Sequence, residues 1–145
     1  MRTFKIAILA LSGLSLFYAS SSRFINPTDA VFLQTYLENT GNGLEIDINL
    51  VNETRGIGAV LLLGGIIALI GAIKADFRPT SFVVTTVIFG GIVIGRSLSF
   101  FIDGMPYQDL IRVAVIEGVL GTLNVFCLIS IFTRGQKSQV NGLKG

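Results

Sequence analysis

The chain has 145 residues, 51% of them hydrophobic and 14% charged, with a formal net charge of +2. A soluble domain carries about a quarter charged residues, and the mean hydropathy here is +0.73. These values exclude an ordinary soluble enzyme, a disordered tail and a nucleic-acid-binding module, which needs a clustered basic surface.

Four stretches are apolar enough and long enough to cross a bilayer, which takes roughly 20 residues of helix. Phe4 to Ser22 is the first. Arg2 and Lys5 precede it and Ala19-Ser20-Ser21-Ser22 closes it, so it also resembles a secretory signal with small residues at a cleavage point. The reading kept is a retained helix; cleavage would leave three spans.

An outer loop, residues 23–54, follows. Asn26 can cap a helix, Pro27 fits its first position and Asp29 suits the positive end of its dipole. Ala30, Val31, Phe32, Leu33, Tyr36 and Leu37 then form an apolar side up to Gly41, which predicts a short helix on the outer membrane surface. It serves as an interfacial anchor or, alternatively, as a lid. Leu44, Ile46, Ile48 and Leu50 alternate with Glu45, Asp47 and Asn49, a strand-like period that would need a pairing partner. Asn52 reads as the cap of the next helix.

The second span, Gly56 to Ile73, holds no charge. A short link, Lys74 to Pro79, leads to the third, Thr80 to Phe101, with Arg96 inside it. Asp103-Gly104 and Met105-Pro106 mark the next turn. The fourth span runs from Leu110 to Phe132 with Arg112 near its start and Glu117 well inside, and a tail of residues 133–145 follows. Short links make consecutive helices antiparallel neighbours. The fold class is an all-α membrane protein, a single domain of four transmembrane helices in an up-down bundle.

Charge sets its direction. Seven cations (Arg2, Lys5, Lys74, Arg78, Arg134, Lys137, Lys144) lie at one end with a single acid, Asp76, while eight of nine acids lie at the other. The positive-inside rule then places both termini in the cytoplasm.

Arg96 and Glu117 carry the most information. Each would cost roughly 2.5–3.5 kcal/mol facing lipid at mid-span. Antiparallel helices bring both to one level near the outer surface, so they are expected to pair, with Asp103 as another partner for Arg96. Arg55 opens the second helix at that level, and Arg112 can reach back to Asp109. The cluster Arg55, Arg96, Asp103 and Glu117 is either an ion-pair network fixing helix register or a site for an anionic or amphipathic small molecule. Small residues form steps at Gly64, Ala68 and Ala72, at Gly91 and Gly95, and at Ala114, Gly118 and Thr122. Such steps let helices approach closely, within the chain or between subunits.

With no His and one Cys, Cys127, the chain can form no intramolecular disulfide and offers no conventional zinc or His-ligated haem site. Neither cofactor nor metal is expected. No nucleophile with an adjacent base stands beside the carboxylates.

One order of residues is distinctive: Glu53-Thr54-Arg55-Gly56-Ile57-Gly58, then Phe89-Gly90-Gly91 with Gly95-Arg96-Ser97-Leu98-Ser99, then Asp103-Gly104-Met105-Pro106 and Glu117. It resembles a bacterial four-helix membrane family, domain of unknown function 4345. That resemblance implies four spans and no established chemistry. It also implies a distant likeness to DoxX-like proteins, some of which accompany membrane oxidoreductases. The function expected is an accessory or structural subunit, or an assembly factor, of a membrane complex. Its partners would be the lipid bilayer and other membrane subunits or a second copy, not nucleic acid. The alternative is a protein binding a quinone, lipid or anion at the outer ends of helices 2–4, roofed by Phe32 and Tyr36.

Overall fold

The computed structural model describes residues 2–27, 48–106 and 108–142, with side chains up to position 133. Four long helices follow one another: α1 (Arg2–Ile25), α2 (Ile48–Ile73), α3 (Arg78–Ile102) and α4 (Gln108–Gly142), with one 3-10 turn at Ala75–Phe77 before α3. All four are long and apolar enough to cross a membrane. Leu14, Val60, Val87 and Val119 stay largely exposed, as side chains facing hydrocarbon do. The chain is a small multi-pass membrane protein.

The core lies in two layers. Toward the end that holds the α2–α3 link, Ile8, Leu9, Ala68, Ala72, Phe82 and Cys127 pack together. Toward the other end, Leu16, Leu61, Phe89 and Leu120 do so, one residue from each helix. The α1–α2 interface is the most extensive, α3–α4 and α2–α3 come next, and α1 touches α4 only slightly. Glycine explains the tightness of the first. A Cβ on Gly65 would lie 3.0 Å from the Gly13 carbonyl and 3.2 Å from the Phe17 nitrogen, and one on Gly58 would lie 3.0 Å from the Phe24 nitrogen. These neighbours are backbone and cannot rotate away.

The loop reading changes at its far end. Helix α2 begins at Ile48, eight residues before the expected start, so Ile48 to Leu50 is helical rather than strand-like and Asn52 lies inside the helix rather than capping it. Thr54, Gly58 and Leu61 are buried at three- and four-residue spacing, a helical face that outweighs the short alternation before it. The Thr54 hydroxyl donates to Leu50 O at 2.7 Å, so a polar side chain is satisfied within its own helix. The surface helix after Pro27 and the segment Leu44 to Asp47 lie outside the described residues. Helix α1 likewise runs on to Ile25, and the Asn26 N–H continues its ladder to Ser22 O at 3.0 Å.

The links follow the sequence signals. Pro79 sits in the first turn of α3, where its missing N–H costs nothing. At the other end of α3, the Asp103 N–H donates to Ser99 O and Gly104 takes φ +96°, a turn conformation that suits glycine. Helix α4 does not end at Phe132 but continues to Gly142. No proline interrupts residues 133–142, so no residue there removes a backbone donor and breaks the helix.

Candidate functional site

Arg96 stands six residues before the end of α3 and Glu117 nine residues into α4. The antiparallel hairpin brings them level, as expected. Arg96 Nε lies 2.7 Å from Glu117 Oε2 and Nη2 lies 3.4 Å from Oε1. The shorter contact has ion-pair distance without hydrogen-bond alignment, whereas Nη2 donates. Glu117 is 8% exposed, so the pair is shielded from acyl chains by the helices themselves.

The other residues expected in this cluster sit elsewhere. Asp103 accepts the Ser99 hydroxyl at 2.8 Å rather than Arg96. Arg55 is exposed on α2 and shares no hydrogen bond or ion pair with Arg96 or Glu117 among the described residues. Arg112 pairs with Asp109 at 3.0 Å on the surface. Arg23 takes the place intended for Arg55. It lies in the last turn of α1, within Coulombic reach of both Arg96 and Glu117, and its Nη1 donates to Ala19 O at 2.6 Å. Three charged side chains from α1, α3 and α4 therefore converge near one end of the bundle. The apolar run in the sequence ends at Ser22, one residue before Arg23, so sequence alone leaves Arg23 in the loop.

A second polar layer lies deeper. Asn124 is fully buried on α4, seven residues or about 10 Å below Glu117. Its amide nitrogen donates to Ser12 Oγ of α1 at 2.8 Å and to Leu120 O at 2.8 Å. That second bond fixes the amide orientation, so Oδ1 faces Thr85 of α3, whose hydroxyl donates to it at 2.7 Å. The Ser81 hydroxyl, one turn along α3, donates to Ile67 O of α2 at 2.7 Å. The Asn124 rung thus ties α1, α3 and α4 together, and the Ser81 bond one turn away joins α3 to α2. The sequence held a signal for it: Asn124 is the one amide side chain in the fourth span, and a polar residue in a membrane helix must find a partner.

A family model covers residues 4–128. The chain belongs to the family described as domain of unknown function DUF4345. No curated protein and no solved structure matches it. The matched segment contains both polar layers, so the ion pair and the rung are parts of the DUF4345 region of this chain.

The glycines of this DUF4345 region divide into two sets. A Cβ on Gly64 would strike the tip of Ile88, so Gly64 lies in the α2–α3 interface. Gly121 faces Phe89, 3.3 Å from where its Cβ would be. Gly91, Gly95 and Gly118 would meet nothing within 4 Å. Close approach of α4 to α3 around Glu117 thus comes through Gly121, one turn along from Gly118, and Gly91 and Gly95 pack against no neighbouring helix among the described residues.

Chemically, the site holds charge in a low-dielectric setting. Breaking the pair would strand a charge away from water.

Proposed function

We propose that this DUF4345 protein is a non-catalytic accessory or structural subunit, or an assembly factor, of a complex in a bacterial inner membrane, with both termini in the cytoplasm. The observation that carries this reading is the open set of glycines. Gly91 and Gly95 are spaced four apart on an exposed stretch of α3 with nothing against them among the described residues. In lipid, where packing supplies the attraction between helices, such a step favours close approach of another helix. The distribution of Lys and acids supports the orientation.

The test is purification from the native membrane in mild detergent, with a tagged chain at native abundance. A membrane partner at fixed stoichiometry, lost in Gly95→Ile while helix content is unchanged, supports the reading. A lone monomer, or a partner indifferent to Gly95→Ile and Gly91→Ile, contradicts it.

The small-molecule alternative at the Arg96 cluster is less well supported. Arg96 is already engaged by Glu117, and Arg55 stands apart from them.

A further inference from the structure

The slight contact between α1 and α4 leaves a groove of about 550 Å³, within the range of small-ligand clefts. Leu11, Leu14 and Tyr18 of α1 form one wall, and Val115, Ile116 and Val119 of α4 the other. Tyr18 and Val119 are largely exposed, so the groove opens on the outer surface of two membrane-spanning helices. There it meets acyl chains rather than water.

A cation lies one turn beyond the groove lining on α4. Arg112 precedes Val115 and Ile116 by three and four residues, which places it on the same helical face, directly beyond the apolar wall. Its side chain is 72% exposed. Its contact with Asp109 is an exposed pair three residues apart, an interaction worth little. A guanidinium has five N–H donors, so most remain for a second anion, and their planar fork matches phosphate. It stands in the first turns of α4, near the end of the span, where long cationic side chains reach the headgroup layer.

We propose that the α1–α4 groove holds one acyl chain of a bilayer phospholipid whose phosphate is bound by Arg112. The apolar walls fit the chain, and the cation at the mouth fits the headgroup. This goes beyond the accessory-subunit reading and does not depend on it.

Native mass spectrometry of the full chain tests it, after delipidation and addition of phosphatidylglycerol or, as a phosphate-free control, diacylglycerol with the same chains. The wild type retains one phosphatidylglycerol and at least tenfold less diacylglycerol. Val119→Trp, which fills the groove from α4, removes retention. Leu14→Phe fills it from α1 and serves if the first variant fails to fold. Arg112→Gln lowers phosphatidylglycerol retention severalfold. Val87→Trp, on an exposed part of α3, leaves it unchanged. Equal retention of the two lipids, or retention indifferent to both the groove-filling and the Arg112 variants, overturns the proposal.

Discussion

Arg96 of α3 and Glu117 of α4, 21 positions apart in sequence, meet at 2.7 Å inside the bundle. Their side chains are 21% and 11% exposed. Each was removed from water and from lipid by the same packing event, so each depends on the other for compensation. Removing one partner therefore leaves the other without its nearest countercharge. Arg96→Leu or Glu117→Leu is expected to cost roughly 3–5 kcal/mol, read as a lower unfolding midpoint in detergent.

The rung at Asn124 predicts a smaller loss. Interhelical hydrogen bonds in membrane proteins contribute about 0.6 kcal/mol on average. Asn124→Leu removes the bonds to Ser12 and Thr85 together and is expected to cost about 1–2 kcal/mol. Ser12→Ala removes one and should cost about half as much. Denaturant unfolding of both variants in mixed micelles checks the ratio.

Glycine substitutions should sort by what surrounds them. Gly65→Ala meets backbone of α1 at 3.0 Å and 3.2 Å, so the helices must separate and stability falls. Gly118→Ala meets open space and should raise the monomer's stability by up to about 1 kcal/mol through helix propensity. Gly64→Ala lies between them, because the Ile88 tip it meets can rotate. Thermal unfolding of the three variants should rank Gly118→Ala above Gly64→Ala above Gly65→Ala.

The orientation predicts labelling. On a Cys127→Ser background, Asp109→Cys should react with an impermeant maleimide from outside the inner membrane. Asp76→Cys should react only after permeabilisation. The reverse pattern would place the termini outside.

Much of the fold was legible because a bilayer imposes length and continuity on its helices. The four spans, Pro79 in the first turn of α3 and the turn at Gly104 all follow from residue type alone. The α2 start was not legible. Ile48 and Leu50 alternate with polar residues over too short a run to separate strand from helix, and burial of Thr54, Gly58 and Leu61 decides it. The ion pair was legible because a charge in a span demands a countercharge. The contribution of Arg23 was not, since it required knowing how far α1 extends. The rung was missed because Ser12 and Thr85 are ordinary in membrane helices and become informative only once Asn124 stands between them.

The most direct test of the account is a double-mutant cycle at 96 and 117, with unfolding free energy measured for Arg96→Leu, Glu117→Leu and the two combined. A mutually dependent buried pair predicts that the double variant is more stable than either single one, since two apolar side chains leave neither member of the pair uncompensated. Losses that simply add would show that the two side chains do not compensate each other within the bundle.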